Sequence, residues 1–422
     1  MFRAMGERAS IKDSGPGQRA VRHKGGLSLG IDVPLLLVVI TLLIFGLVMV
    51  YSASYDYSQA YYGNAYRIFQ RQVIFMLLGI GAAAIFTFLD YHVWQRLAVP
   101  VGVLTVIGLV AVLLASNVLN NAARTLWEGS VQPSELAKLI TVIYLSVWLY
   151  SKREFLQDVT LGLIPLGIML GVLGFLIYLQ PDLSAVITIA VLGAIMFFLA
   201  GADMRQIGFL IVFGLIFGWL LVQVSSTGSE RMSAYLAGLK NPLNSSYHVR
   251  RSLEAFVNGG WFGVGIGMSE TKLTGLPVPQ TDSIYAVIGE ETGFFGAAGL
   301  VLLYVVLLWR GLTIAQRARD GLGTLMAAGL TLWLALEAFV NMAVMVNVLP
   351  FAGNALPFIS AGGSNLGVSL AAVGILLNIS RLSNRQNEKE GNFFSAVVDL
   401  RRRDRRRSVS RTRRSSGIGR SG

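Results

Sequence analysis

VPLLLVVITLLIFGLVMVYS, residues 33–52, runs for twenty positions without a charge. About twenty apolar residues in a helix rising 1.5 Å per residue match the roughly 30 Å hydrocarbon thickness of a bilayer. Nine further stretches read in the same way: 72–89, 97–116, 134–151, 160–178, 182–201, 205–224, 284–310, 322–349 and 363–381. With 54% hydrophobic and 14% charged residues over 422 positions, the chain has too little polar surface to cover a water-soluble globule of this size. The expected fold is therefore an all-α polytopic membrane protein of about ten spans.

Working outward from the first span, the leading residues are polar and basic (Arg3, Arg8, Lys12, Arg19, Arg22, Lys24). They lack the apolar core of a cleavable signal, and none is expected. An even number of spans places both termini on one side. The inner loops of that arrangement carry Arg96, Lys152, Arg153, Arg205, Arg310, Arg317 and Arg319, against Arg67, Arg71 and Arg124 in the short outer ones. The positive-inside rule then puts both termini in the cytoplasm. The expected division is a basic cytoplasmic segment at 1–29, a membrane domain at 30–383 and an Arg-rich cytoplasmic tail at 384–422. Residues 401–422 hold ten arginines against one aspartate. That composition reads as a disordered tail drawn to anionic headgroups; no aromatic residues interleave with it, which disfavours nucleic acid.

Residues 225–283 form a large extracytoplasmic loop between spans seven and eight. Its length marks it as functional, and its aromatic and glycine content, Asn258-Gly-Gly-Trp-Phe-Gly-Val-Gly-Ile-Gly267, points to a segment that dips back into the membrane interface. With no cysteine and only His23, His92 and His248, widely separated in sequence, disulfides, thiolate metal sites and a cysteine nucleophile are excluded, and a Ser-His-Asp triad is disfavoured.

Polar residues at the outer helix ends carry the chemistry. Gln132-Pro-Ser134-Glu135-Leu-Ala-Lys138 opens the fourth span and Gln180-Pro-Asp182-Leu-Ser184 the sixth. Proline suits a first helical turn, and an acid there meets the positive end of the helix dipole, so Asp182 has a purely structural explanation. Glu135 and Lys138, at i and i+3, share one face and can pair; such charges inside a span face a polar cavity or each other. Pro279-Gln-Thr281-Asp282 leads into the eighth span, with Glu290 and Glu291 about 12–14 Å deeper. Asp282 lies close to the lipid headgroups, where a helix cap is its simplest reading. Glu290, Glu291 and Glu337, with Asn341 one turn on, read as one polar network that a proton or cation pathway would use. Ile359-Ser-Ala-Gly-Gly-Ser364 precedes the tenth span, where Ser364 is either an N-cap or part of an anion site.

In combination and order, Tyr51-Ser-Ala-Ser54, Gln132–Lys138, Gln180–Asp182, Gly263-Val-Gly-Ile-Gly267, Thr281-Asp282 with Ala286–Glu291, and Ile359–Ser364 resemble the SEDS family of shape, elongation, division and sporulation proteins. The similarity covers about residues 30–383. Gly46–Ser54 and Val287–Glu291 are more like the division branch than the elongation branch. Gln280, His248, Ala361 and Thr292 depart from the family pattern.

The resemblance implies a peptidoglycan glycosyltransferase that polymerises lipid II. Asp282 matches the essential residue, and Glu135 and Lys138 match its paired neighbours. It also implies a class B penicillin-binding protein and other division proteins as partners. An inverting displacement needs a base for the acceptor hydroxyl, a role a partly desolvated Asp282 suits. It also needs a counter-charge for the departing pyrophosphate, for which Arg124 or a divalent cation such as Mg or Mn is suited. Gln132, Ser134, Asp182, Thr281 and Ser364 complete the expected substrate-binding set, with no protein-bound metal among them. A lipid flippase or proton-coupled transporter and a noncatalytic scaffold are the alternatives.

Overall fold

The computed structural model describes residues 30–118 and 132–385. Among them there is no strand, and every regular element is helical. The helices are α1 (Val33–Tyr62), α2 (Arg67–Phe88), α3 (Trp94–Val118), α4 (Pro133–Ser151), α5 (Ile164–Tyr178), α6 (Leu183–Leu199), α7 (Met204–Val224), α8 (Ser226–Lys240), α9 (Tyr247–Gly259), α10 (Ile284–Gln316), α11 (Gly321–Met345) and α12 (Gly363–Arg385). The Arg-rich tail and the basic leading segment expected from the sequence lie outside the described residues.

Each expected span coincides with a helix. Eight stretches are long and apolar enough to cross a membrane: α1, α2, α3, α5 together with the helical turn Val159–Leu163 that precedes it, α7, α10, α11 and α12. The other two differ for local reasons. Helix α6 is a shorter apolar helix, and α4 carries Glu135 and Lys138 in its first turns. Helix α1 runs ten residues beyond its expected end, because nothing breaks it before Gly63, which ends it at φ +66°. Its start is set by Asp32, whose side chain accepts from Leu35 N at 2.9 Å.

Packing separates a central group from a lipid-facing rim. Of the apolar stretch of α12, 78% is buried inside the protein, and of α11, 72%; of α7, none. Helix α11 packs against α4, α6, α9 and α10, so it forms the axis of the bundle. A central helix has no lipid-facing side on which to place polar groups cheaply, so any it carries must find protein partners. Helix α11 carries Glu337 and Asn341.

The expected outer loop contains structure of its own. Helices α8 and α9 occupy its first half, and α9 buries Val249, Ser252, Ala255 and Gly259 against α10 and α11. At the opposite end of the bundle, Arg310 grips Asp32, and Tyr91 Oη donates to Asp320 Oδ1 at 2.7 Å, tying the turns there together.

Candidate active site

Several helix starts converge at the end of the bundle from which the loop emerges. Pro133 takes the first position of α4, where its missing N–H leaves nothing unsatisfied. Asp182 caps α6, accepting from Ala185 N at 3.2 Å and from Ser184 Oγ at 2.9 Å. Its other oxygen accepts from Gln132 Nε2 at 3.1 Å and Ser134 Oγ at 3.0 Å. Gln132 N in turn donates to Ser364 Oγ at 3.1 Å. Ser364 therefore sits inside the first turn of α12 and bridges to α4 rather than capping its own helix. Pro181, expected within the first turn of α6, stands ahead of the Asp182 cap. Gln132, Ser134, Asp182 and Ser364 thus form one ring that locks α4, α6 and α12 together.

Just below this ring lies a buried charged triad. Lys138 Nζ donates to Glu135 Oε1 at 2.9 Å and also to Glu337 Oε1 on α11. Glu135 Oε2 accepts from Asn365 Nδ2 of α12 at 3.0 Å. The three charged side chains are at most 10% exposed. Ion pairs at such depth add little net stability once desolvation is counted, but stripping away one partner is costly. The triad therefore fixes how α4, α11 and α12 sit relative to one another.

Asp282 is half-buried where the loop reaches α10. Ser283, not Asp282, occupies the N-cap position of α10. The backbone around it is pinned from both sides. Asn341 Nδ2 donates to Asp282 O at 2.9 Å, Ser360 Oγ to Thr281 O at 2.7 Å, and Ala361 N to Gln280 O at 2.8 Å. Its carboxylate lies against Gly353: a Cβ there would fall 2.9 Å from Oδ2. Asn341 is four residues beyond Glu337, about 6 Å along the axis of α11. One turn of a central helix thus connects the triad to the backbone that carries Asp282. Arg124 lies outside the described residues. Among the described residues no group of three or more His, Asp and Glu side chains could hold a metal ion, and Lys138 occupies the space between the two carboxylates of the triad.

Glu290 and Glu291 are not part of this arrangement, which corrects the single network expected from the sequence. Glu290 accepts from Thr271 Oγ1 at 2.8 Å and from Ser269 Oγ. Glu291 accepts from Ser52 Oγ at 2.5 Å and Lys272 Nζ at 2.8 Å. The glycine-rich segment lies alongside: Val264 N and Gly265 N donate to the carbonyls of Glu290 and Glu291, each at 3.0 Å. Those carbonyls are freed because α10 breaks at Gly293, where φ is +69°. Gly263, at φ +80°, has no room for a side chain, since a Cβ would meet Glu291 O at 2.2 Å. The two acids fasten the loop onto α1 and α10.

Comparison with known proteins agrees with this layout. The profile of the cell cycle proteins FtsW, RodA and SpoVE matches residues 33–385. A probable peptidoglycan glycosyltransferase FtsW of Geobacter metallireducens is 36% identical over 353 residues, 83% of this chain and 94% of that protein. Stage V sporulation protein E of Bacillus subtilis is 37% identical over 358 residues, 83% of this chain and 97% of its own. Among solved structures, a chain from a study of polymerization and crosslinking by a peptidoglycan synthase complex superposes with a TM-score of 0.66 at 24% identity, covering 85% of this chain and 99% of that one. The rod shape determining protein RodA of Thermus thermophilus gives 0.60 at 23%, covering 84% and 97%. At these identities the structural matches establish the shared fold.

Proposed function

The chain belongs to the FtsW, RodA and SpoVE family of cell cycle proteins, and on that premise we propose that it is a peptidoglycan glycosyltransferase that polymerises lipid II into β-1,4-linked strands for septal wall synthesis. The observation that carries the reading is Asp282: a half-buried carboxylate whose main chain is held by Asn341 and, one residue earlier, by Ser360, one helical turn from a buried Glu135–Lys138–Glu337 triad. A base must be placed to within a fraction of an ångström of the hydroxyl it activates, and a pinned backbone achieves that.

In this mechanism Asp282 takes the proton of the acceptor sugar hydroxyl as the oxygen attacks the anomeric carbon and the bond to pyrophosphate breaks with inversion. Glu135 and Lys138 set the field around it. Arg124 balances the charge that accumulates on the departing pyrophosphate, the same electrostatic role that a divalent cation such as Mg or Mn would supply if it arrived with the substrate. Gln132, Ser134, Asp182, Thr281 and Ser364 line the outer end and contact substrate. The chain crosses the inner membrane ten times with both termini cytoplasmic, residues 1–29 and 384–422 included. A class B penicillin-binding protein supplies transpeptidation. Of the acids that a proton-coupled transporter would use, Glu290 and Glu291 are engaged by the outer loop and Glu337 by Lys138, which favours polymerisation over transport.

The test is direct. Purified Asp282→Asn protein is expected to elute as a monodisperse species and to bind lipid II while forming no glycan ladder. Polymerisation at the wild-type rate would overturn the assignment of the base; binding and translocation of lipid II by the wild type without any ladder would overturn the enzyme reading.

A further inference from the structure

Three buried atoms on one face of α11 make no hydrogen bond of good geometry, Trp333 Nε1, Glu337 Oε2 and Asn341 Oδ1, although the Trp333 indole lies within reach of the Glu337 carboxyl. Their residues are 0%, 1% and 1% exposed. They are spaced i, i+4, i+8, which stacks them on one side of the helix. An unmet polar atom at this depth is costly, and three in a row call for one explanation.

Charge points to the same place. With both acids ionised, the triad would hold two negative charges against Lys138 alone, among side chains almost sealed from water. Glu135 is well provided for as an anion: it has Lys138, Asn365 Nδ2 and the positive end of α4. Glu337 lies within α11, two turns or more from either end, with Lys138 on Oε1 and only the neutral Trp333 indole near the carboxyl besides. Nearby, Asp182 is satisfied by Gln132 and Ser134, and Asp282 is one turn further out. No second cation of the triad offsets the excess.

We propose that Glu337 carries a proton on Oε2 and completes a chain in which Trp333 Nε1–H donates to Glu337 Oε2, whose O–H donates to Asn341 Oδ1. A carboxylic acid oxygen both accepts and donates, whereas a carboxylate only accepts. One proton therefore satisfies all three atoms and brings the triad to neutrality. An ionised Glu337 has no proton to donate and would leave Asn341 Oδ1 unmet. The chain locks the Asn341 amide so that Nδ2 faces Asp282 O and Asn354 O, 2.9 Å and 2.5 Å away. Glu337 is thus a positioning residue that acts on Asp282 through Asn341. This rests on the reading of Asp282 as the base, but the proton itself does not.

The full-length protein in detergent, studied by infrared spectroscopy at neutral pH, is expected to show a protonated-carboxyl C=O band that disappears in Glu337→Gln and persists in Glu135→Gln. In the ladder assay Glu337→Ala is expected to lose about 10²-fold in rate, the scale of a displaced reacting group. Glu337→Gln, which can donate to Asn341 as the neutral acid does, is expected to recover to within about tenfold of wild type. A wild-type spectrum without the Glu337 band overturns the proposal whatever the activity. A folded Glu337→Gln protein as inactive as Glu337→Ala would also overturn it, because the charge would then be what matters. Failure of the wild type to polymerise, with the band present, would sink the glycosyltransferase reading and leave the proton in place.

Discussion

Two sets of buried acids sit in the same bundle and do different work. Glu135 and Glu337 meet Lys138 across α4 and α11, helices that both belong to the membrane core. Glu290 and Glu291 meet Ser269, Thr271, Lys272 and Ser52, most of them from a loop that folds back onto α10. The first set joins helices that water cannot easily reach. The second holds a segment that has a solvent phase available if it lifts away. The same residue types therefore make a rigid frame in one place and a releasable fastening in the other. Burial of the alternatives, not burial of the acids, separates the two.

The largest expected effect comes from breaking the frame. Lys138→Met leaves the acids of α4 and α11 without a cation and with no route to water. It is expected to cost about 3–5 kcal/mol, the range for removing one partner of a buried pair. Thermal unfolding of the purified protein, with size-exclusion chromatography, reads this out. A Lys138→Met protein as stable as wild type would mean that the triad is not the frame.

Lys272→Met tests the fastening. It removes the cation from Glu291, and the loop can relax to let water replace it, so the cost is expected near 1.5–3 kcal/mol, that of a hydrogen bond to a charged group. Ser52→Ala, which removes the 2.5 Å bond to the same acid, is expected to cost about 1 kcal/mol. In both, hydrogen exchange should rise across residues 259–273 and stay unchanged in α4 and α11. If Lys272→Met destabilises the protein as much as Lys138→Met, the distinction between the two regions fails.

This division also sets what was legible in the sequence. The core spans could be read because uncharged runs of about twenty residues leave no other solvent. The Glu135–Lys138 pair was legible because the partners are three residues apart on one helix. Glu337 closes the triad from 199 positions away, and nothing local in either stretch announces it. The partners of Glu290 and Glu291 were missed for a related reason. Ser269, Thr271 and Lys272 stand in a glycine-rich stretch without helical or strand period, so only the fold brings them back to α10. Helix α9 could have been found: Val249, Ser252, Ala255 and Gly259 recur at helical spacing, but inside a segment read as loop. Asn341 was seen as polar; its grip on Asp282 O depends on a contact 59 residues apart.

The smallest expected effect concerns a third attachment of the loop, and it separates the two regions by pH alone. His248 of α9 stacks on Phe351 with ring centroids 4.4 Å apart, and Arg231 of α8 lies 5.2 Å from the same ring. Burial, aided by the charge of Arg231, pushes the His248 imidazole below its ordinary value. A base whose affinity for protons is lower in the folded state favours folding fully above the ordinary histidine value of about 6.5. That contribution is lost as the pH falls below this value, because the unfolded or undocked loop binds the proton more readily. Acidification from neutral pH is therefore expected to raise hydrogen exchange in α8 and α9 while α4 and α11 keep their protection. His248→Phe, which preserves the stack and removes the titrating group, should abolish this response. If the response persists in that variant, or appears equally in α11, the loop is not released through His248, and the outer region is not separable from the frame in the way its acids suggest.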